Sequence, residues 1–231
     1  MPILLIPGFM ADETLWDDVA GRFERFGPVL HADLRHDNAI EAMARRALAA
    51  APPSFILVGF SMGGYVAREL ARMAPSRVRA LVLIATSARP DTPALRQAKG
   101  AIAHAAPALS FGGLSRAAVI SSLHPAQRDN GALVGRVRAM GARLGGEVFR
   151  RQSQLERPGD RERLGEIACP TLIVAAAQDQ LRSREEAEEL HAGIAGSTLA
   201  IIEGSGHMIP IEAPGPLAEV VLAWLETLAL A

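Results

Sequence analysis

The chain has a single cysteine, Cys169, among its 231 residues. One thiol cannot form an internal disulfide or a metal site built from several thiolates, and a lone cysteine suits a reducing compartment. No apolar run approaches the ~20 residues that a membrane-spanning helix needs, and the N-terminus carries no basic leader. We therefore expect a cytoplasmic protein that has no metal site and does not associate with a membrane.

An excess of charge of one sign is also missing, because 24 basic residues nearly balance 25 acidic ones and leave a net charge of -1. Such a balance gives no long-range attraction to nucleic acid or to an anionic membrane. The chain also lacks the glycine-rich patterns that bind dinucleotides and nucleotide phosphates. The expected partner is a small neutral or weakly charged molecule, no cofactor is implied, and nothing in the sequence indicates an oligomeric state.

Apolar residues, in contrast, make up 49% of the chain, which is enough for a full core in one α/β domain of this length. Six short apolar runs are continuous and not alternating, which is typical of strands covered on both faces in a parallel sheet. They are Ile3–Ile6, Val29–Ala32, Phe55–Val58, Ala80–Ala85, Leu172–Ala176 and Leu199–Ile202. Most are separated by segments with helical spacing. This alternation predicts a doubly wound α/β fold with a mainly parallel sheet of about six strands and helices on both faces.

Local signals predict where some of these helices begin and end. Asn38 with Glu41, and Ser183 with Glu186, have the spacing of a capping box at a helix N-terminus. Pro75 is expected to end the helix that follows the third strand, because proline cannot continue a helix.

One connection is much longer than the others. Residues 86–170 separate the fourth predicted strand from the fifth, and this segment is rich in alanine and has no strand-like run. We expect a helical cap inserted after the fourth strand, over the carboxyl edge of the sheet, where open α/β sheets bind ligands. The expected organisation is a first part of the core at 1–86, the cap and the return to the core at 87–165, and a second part of the core at 166–231.

The segment that follows the third strand reads GFSMG over residues 59–63, which is the pattern G-x-S-x-G between a strand and a helix. In that context the turn is so sharp that Ser61 takes a strained conformation and flanking side chains would collide. Gly59, Gly63 and Gly64 would clear this space, and the hydroxyl would project at the positive end of the next helix. The alternative is a tight turn that contains a serine by chance.

A serine hydroxyl becomes nucleophilic at neutral pH when a histidine takes its proton and a carboxylate orients that histidine. Asp179 follows the fifth predicted strand and His207 follows the sixth, so both lie just past a carboxyl end. The chain order Ser61, Asp179, His207 is the one expected after a nucleophile elbow. Asp91, after the fourth strand, is the alternative acid. Asp179 is preferred because Asp91 lies several residues beyond its strand.

Taken together, these stretches resemble the α/β-hydrolase superfamily along nearly the whole chain. The matching segments are LLIPGF, ADLR, LVGFSMGGYVA, LVLIAT, IACPTLIVAAAQDQL and IIEGSGHMIPIEAP. The resemblance implies that Ser61, Asp179 and His207 act as a catalytic triad and that the strands lie in the order 2-1-3-4-5-6. It also implies an oxyanion hole made of two backbone N–H groups, those of Met62 and Phe9.

Two features depart from the family pattern. Many members begin with an antiparallel pair of strands, which this chain lacks, so a smaller sheet is expected. Pro7-Gly8 stands where relatives often have His-Gly. Only position 7 loses its N–H through this change, so the amide of Phe9 stays available.

The function that this resemblance implies is hydrolysis of a small carboxylic ester through an acyl-enzyme, with a small-molecule acyl substrate. The same triad also serves lactone, thioester or carbon–carbon bond hydrolysis and cofactor-free peroxidation, because function resides in the site and not in the fold. A non-catalytic ligand receptor that kept the pocket is the alternative outside enzymology.

Four further side chains are candidates for a substrate pocket. Met10, Phe60 and Met208 near the elbow are three of them, with core packing as the alternative. His124 is a candidate in the cap, with a solvated or packed histidine as the alternative. Several further polar residues are expected to be structural or solvated: Asp33, Arg35, His36, His31, His104, His191, Arg150 and Arg151.

Overall fold

The computed structural model describes residues 1–105 and 111–229. At its centre six strands form one sheet in the order β2-β1-β3-β4-β5-β6, and every neighbouring pair is parallel. The strands are β1 (Ile3–Ile6), β2 (Val29–His31), β3 (Phe55–Phe60), β4 (Val78–Ile84), β5 (Thr171–Ala176) and β6 (Thr198–Ile202). The predicted fold class is confirmed, and so is the strand order that the resemblance implied.

The two edge strands differ from the prediction. We expected six strands covered on both faces, but β2 is mostly exposed and β6 is only partly buried, whereas β1, β3 and β5 are buried throughout. An edge strand has a neighbour on one side only, so a continuous apolar run does not by itself predict full burial at that position.

Helices cover the sheet on both faces, because successive residues of a strand point to opposite sides. Ile3 and Leu5 of β1 pack in one apolar cluster, and Leu4 and Ile6 pack in another. The first cluster includes residues of α1 (Asp17–Phe23) and α9 (Pro214–Glu226); the second includes residues of α2 (Ile40–Ala50), α3 (Met62–Met73) and α7 (Arg184–Gly193). A short helix α8 (Ile209–Glu212) precedes α9.

Of the three predicted helix boundaries, two are confirmed and one is wrong. Ser183 and Glu186 form the expected capping box at the start of α7, and α3 ends before Pro75. The cap predicted for Asn38 and Glu41 is wrong, since α2 begins at Ile40 after an extended Ala39 with no side-chain cap. Ala39 instead pairs with Glu156 in an isolated parallel bridge, a tertiary contact that delays the start of the helix.

The long connection between β4 and β5 is helical, as predicted. It contains α4 (Pro93–Ala105), α5 (Arg116–Ser122) and α6 (Gly131–Ser153), with short 3-10 helices at Pro125–Gln127 and Arg161–Glu166, and α6 is interrupted at Gly145. We refer to residues 87–165 as the insertion. The division of the chain at 86/87 and 165/166 stays a prediction.

The end of the insertion is joined to α3 by buried charges. The Arg68 guanidinium is fully buried, and its Nε and Nη2 donate to the two carboxylate oxygens of Asp160 at 2.8 and 2.7 Å. Arg72 donates to the same carboxylate at 2.9 Å. Burial acts to raise the pKa of Asp160, but the hydrogen bonds and charges of Arg68 and Arg72 outweigh it and lower that pKa below its ordinary value.

Candidate active site

The turn between β3 and α3 has a strained backbone at Ser61, where φ is 52° and ψ is -114°. A non-glycine residue with positive φ costs on the order of 1 kcal/mol or more, so neighbouring contacts must hold it. The Ser61 N–H donates to the carbonyl of Ile84 at 2.9 Å, and its carbonyl accepts from the Thr86 hydroxyl at 2.7 Å. Both partners belong to β4 and the residues just after it, so the core itself holds the turn.

The glycines around Ser61 lie where a side chain has no room. A Cβ at Gly59 would lie 2.6 Å from the carbonyl oxygen of Gly63, and one at Gly63 would lie 2.4 Å from that of Pro7. A Cβ at Gly64 would lie 2.4 Å from the Thr86 hydroxyl. The close approach of strand, helix and loop therefore requires glycine at these positions, as the sequence pattern indicated.

The structure brings together three side chains that lie far apart in the chain. His207 Nε2 is 2.9 Å from Ser61 Oγ, and His207 Nδ1 is 2.8 Å from Asp179 Oδ2. The other oxygen of Asp179 accepts the N–H groups of Leu181 and Arg182 at 2.7 and 3.0 Å. Ser61 and His207 are only 8% and 5% exposed. A buried, hydrogen-bonded line thus runs from a hydroxyl through an imidazole to a carboxylate.

The loop that carries His207 is tied to the insertion. The His207 N–H donates to the carbonyl of Ser122 at the end of α5, at 2.8 Å. The carboxylate of Glu212 accepts the N–H of Met208 at 3.0 Å and that of His124 at 2.6 Å. Burial raises the pKa of Glu212, although these backbone hydrogen bonds oppose the rise. The backbone on both sides of the imidazole is therefore held by residues outside its own loop.

The two backbone N–H groups that the resemblance implied for an oxyanion hole are those of Met62 and Phe9. Met62 is the first residue of α3, so its N–H has no partner within the helix. Phe9 lies in the loop after β1, and that loop approaches the elbow closely, since a Cβ at Gly8 would lie 3.3 Å from Ser61 Cβ. Within the part of the chain that the structure describes, neither N–H has a hydrogen-bond acceptor.

The residues predicted for a substrate pocket are mostly buried. Met10 and Phe60 are 1% and 2% exposed, and the Phe60 ring packs 5.2 Å from the His207 ring. Met208 is buried as well, whereas His124 is half-buried and accepts the N–H of Ala126 through Nδ1. These contacts give all four a packing or capping role, and their part in a pocket stays a prediction.

The alternative acid lies in a different set of contacts. Asp91 is bonded to Lys99 at 2.6 Å and to Arg157 at 3.2 Å, whereas Asp179 is the carboxylate that bonds His207. Burial raises the pKa of the Cys169 thiol, which disfavours its reactive thiolate form. Among the described residues, the hydrogen-bond partners of Asp91 and Cys169 do not include Ser61 or His207.

The remaining candidates have local partners. Asp33 binds Arg35 through both oxygens and contacts His36 at 3.1 Å. His191 is hydrogen-bonded to Ser197. Arg150 donates to Glu147, and Arg151 donates to the Arg35 carbonyl. His31 is exposed, and the side chain of His104 lies outside what the structure describes.

Over residues 1–105 and 111–229 there is no cluster of three His, Cys, Asp or Glu side chains that could hold a metal ion. No helix in the same ranges is both long and apolar enough to cross a membrane.

Three residues with a place in this site were missed by sequence reasoning. Thr86 lies in the stretch LVLIAT that contributed to the resemblance, and Glu212 lies five residues after His207, so position alone marks both as neighbours of the site. Gln152, which contacts the loop after β1, lies in the insertion without any motif around it. No signal in the sequence distinguishes it from other polar residues of α6.

Comparison with known proteins decides the family. The protein-family model described as serine aminopeptidase, S33, matches residues 30–214, which is most of the chain. The chain belongs to the α/β-hydrolase superfamily. This hydrolase is also 31% identical over 225 residues to a pimeloyl-[acyl-carrier protein] methyl ester esterase of Neisseria meningitidis, and the match covers 89% of this chain and 86% of that protein.

Solved structures agree with that assignment. An esterase from Thermogutta terrifontis superimposes on this hydrolase with a TM-score of 0.88 at 26% identity, covering 98% of this chain and 90% of the other. An enol-lactonase from Burkholderia xenovorans gives a TM-score of 0.86 at 19% identity, covering 97% and 91%. At that lower identity the second likeness shows the shared fold alone.

Proposed function

We propose that this hydrolase cleaves a small carboxylic ester through an acyl-enzyme formed on Ser61. The observation that carries the proposal is the buried line of hydrogen bonds from Ser61 through His207 to Asp179. A lone serine in a tight turn needs no such partners, whereas a nucleophilic serine needs both.

In the first half of the reaction Ser61 Oγ attacks the ester carbonyl carbon while its proton passes to His207 Nε2. Asp179 holds the Nδ1–H of the imidazole and stabilises the imidazolium that forms. The carbonyl oxygen becomes an oxyanion, which the free amides of Phe9 and Met62 bind. The C–O bond to the alcohol then breaks, and the alcohol leaves with the proton from His207.

In the second half a water molecule attacks the acyl group on Ser61 and gives one proton to His207. The same two amides bind the second oxyanion, the bond to Ser61 Oγ breaks, and the serine recovers its proton from His207 as the carboxylic acid departs. The cycle returns every group to its starting protonation state and uses no cofactor.

The choice of an ester over other acyl compounds is supported by the relatives. The protein of N. meningitidis is named as a methyl ester esterase, and the structure from T. terrifontis is that of an esterase. Lactone or thioester hydrolysis, carbon–carbon bond hydrolysis and cofactor-free peroxidation are reactions that the same triad can serve. A kinetic panel of methyl, butyl and p-nitrophenyl esters, lactones and thioesters should give the highest kcat/KM with an ester. A higher value for another class would move the assignment to that class.

We also propose that the insertion is a cap over the site. Its residues Ser122 and Gln152 bond the loops that carry His207 and Phe9, which supports this position. The insertion would then enclose the small acyl substrate at the sheet edge. The cytoplasmic location stays a prediction from the sequence.

The decisive variant is Ser61→Ala, because alanine removes the nucleophile and retains the backbone. With a p-nitrophenyl short-chain ester we expect kcat to fall by at least ~10⁴-fold while the thermal transition stays near that of the wild type. Ser121→Ala, the same change at an exposed serine of α5, should leave turnover unchanged. Undiminished turnover in Ser61→Ala would refute the proposal, and it would also favour a non-catalytic receptor with a contaminating activity.

A further inference from the structure

The loop after β1, residues 7–12, carries the free amide of Phe9, and we call it the oxyanion loop. Met10, the next residue, has a φ of 52°, so the loop contains a second strained position beside the one at Ser61. Its one internal backbone bond, from the Ala11 N–H to the Gly8 carbonyl, is long at 3.3 Å. A strained loop with weak internal bonds persists only when its surroundings hold it.

Gln152, in the last turn of α6, supplies that support. Its side-chain oxygen accepts the Met10 N–H at 2.9 Å, and its side-chain nitrogen donates to the carbonyl of Leu34 at 3.3 Å. Gln152 is 3% exposed and Met10 is 1% exposed, so water does not compete for these groups. A single side chain of the insertion thus joins the loops that follow β1 and β2.

The apolar contacts of the oxyanion loop do not fix the orientation of the peptide between Phe9 and Met10. Met10 packs with Val148 and Phe149 of α6, and the Phe9 ring lies 5.9 Å from the Phe149 ring. Such contacts are not directional, so they fix the positions of the side chains and not the plane of the peptide. The plane of the peptide between Phe9 and Met10 is set by a directional bond, and Gln152 accepts the one N–H that this peptide has.

The same bond decides which amide of the loop is available. Phe9 and Met10 follow Gly8, which lies against the elbow, and Gln152 accepts the N–H of Met10. The Phe9 N–H belongs to the preceding peptide, between Gly8 and Phe9, whose carbonyl accepts, among the described residues, only the long bond from Ala11. Because the bond to Gln152 anchors the next peptide, it fixes the Phe9 Cα at which the two peptides meet, and its loss would let the Phe9 N–H move relative to Ser61. With the Met10 N–H engaged, the Phe9 N–H is left as the donor for a ligand.

We propose that Gln152 is a positioning residue for the oxyanion hole: by anchoring the peptide between Phe9 and Met10 it fixes the Phe9 Cα, and so holds the adjoining Gly8–Phe9 peptide with its N–H towards the substrate oxygen. This inference rests on the proposed ester hydrolysis and deepens it. Gln152 touches neither the substrate nor the triad, and acts through the backbone of the oxyanion loop.

The first test is Gln152→Met, which keeps the length of the side chain and removes both hydrogen-bonding groups. We expect kcat to fall about 10- to 100-fold, less than the loss of an oxyanion donor outright, with KM within about twofold because the ground state does not use the hole. Gln154→Met is the matched control, since Gln154 is exposed two residues further on and should leave both constants unchanged.

A second readout reports the hole itself. A trifluoromethyl ketone adds to Ser61 to give a tetrahedral adduct whose oxyanion occupies the hole, so its affinity follows the transition state. In Gln152→Met the Ki of the ketone should rise by the same factor by which kcat/KM falls. A role in folding alone would lower the thermal transition without linking these two quantities.

The third test is Gln152→Glu, which keeps the shape of the side chain and therefore guards against a misfolded variant. Protonated glutamic acid can accept from Met10 and donate to Leu34 as glutamine does, whereas the carboxylate has no donor for Leu34 and places a negative charge against the oxyanion loop. The ratio of kcat in Gln152→Glu to that in the wild type should therefore rise as pH falls. A ratio that is independent of pH overturns the inference.

The outcomes separate this inference from the proposed function. If Ser61→Ala abolishes turnover while Gln152→Met leaves kcat and the Ki of the ketone at wild-type values, ester hydrolysis stands and the role of Gln152 is overturned. A loss confined to KM, or one explained by a lower thermal transition alone, overturns it as well. If Ser61→Ala retains full turnover, the proposed function fails first.

Discussion

The nucleophile elbow and the two loops that face it are held in different ways. The backbone of Ser61 is bonded to Ile84 and Thr86, at the end of the neighbouring strand, and to Gly64 in the first turn of α3. The backbone of His207 is bonded to Ser122, and that of Met10 to Gln152, both in the insertion. The elbow is thus held within the sheet and its helix, whereas the backbone of His207 and that of the loop after β1 are also held by a segment that is absent from a minimal doubly wound fold.

The largest effect is expected from breaking the elbow. In Gly63→Ala the new Cβ would lie 2.4 and 2.5 Å from the carbonyl oxygens of Pro7 and Ile6, which cannot move without disturbing β1. We expect little folded protein, and in any that folds a loss of kcat of about 10³-fold or more, because a misplaced nucleophile loses the alignment on which the reaction depends. Circular dichroism and turnover of a p-nitrophenyl ester measure the two effects.

Gly135→Ala is the control for that experiment. Gly135 lies inside α6, and a Cβ added there would meet no described residue of another element within 4 Å. Alanine at this position should therefore raise the unfolding free energy by about 0.5–1 kcal/mol. If Gly63→Ala behaved like Gly135→Ala, the close packing described for the elbow would be incorrect.

The next effect concerns the joint between the insertion and α3. Asp160→Asn removes the charge that neutralises the buried Arg68, and we expect a loss of about 3 kcal/mol in unfolding free energy at pH 7. The control Asp129→Asn, at a fully exposed carboxylate, should change it by less than about 0.5 kcal/mol. Urea unfolding measures both, and equal small losses would show that the buried pair adds no stability.

The same pair predicts a pH dependence of stability. Arg68 and Arg72 lower the pKa of Asp160 in the folded protein below its unfolded value, so the carboxylate stabilises the fold above about pH 4. This contribution is lost as pH falls through the lowered pKa. The gap in unfolding free energy between the wild type and Asp160→Asn should therefore shrink on acidification, and a gap that widened would contradict the assignment.

A smaller effect tests how the insertion holds the loop that carries His207, which we call the histidine loop. Glu212→Gln keeps the shape of a side chain whose two oxygens accept the N–H groups of Met208 and His124. A glutamine nitrogen cannot accept, so one of these N–H groups would face a donor, and we expect kcat to fall roughly tenfold for a loss of about 1.4 kcal/mol. KM should stay near the wild-type value.

Glu219→Gln removes a charge from the exposed face of α9 and serves as its control. A fall in kcat that both variants share would point to net charge and not to the histidine loop. An unchanged Glu212→Gln would show that the bond to Ser122 suffices to hold that loop.

The difference between the two regions also explains what could be predicted from the sequence. Ser61 directly follows β3, and Asp179 and His207 lie in the loops that follow β5 and β6. The carboxyl ends of parallel strands meet at one edge, so the convergence of the three side chains could be foreseen. The crowding that requires Gly59 and Gly63 follows from the sharpness of the turn. These features depend on local order along the chain.

Tertiary contacts were not accessible in this way. Ala39 pairs with Glu156, so the cap predicted for Asn38 does not form, and β2 is exposed because of its place at the sheet edge. Gln152 bonds Met10 only when α6 packs on the oxyanion loop. No sequence pattern around Gln152 predicts this packing. These features depend on contacts between residues that are distant in the chain. The sequence around each of those residues does not predict the contacts.

The most direct test of the central claim is to label the protein with a fluorophosphonate and locate the modified residue by mass spectrometry while turnover of an ester is followed. A phosphonyl group forms on a serine that a neighbouring base has activated. We predict one phosphonyl group, on the peptide that contains Ser61, and a loss of turnover in proportion to it. Turnover that persists after Ser61 is fully labelled, or that is lost while Ser61 stays unmodified, would contradict the mechanism.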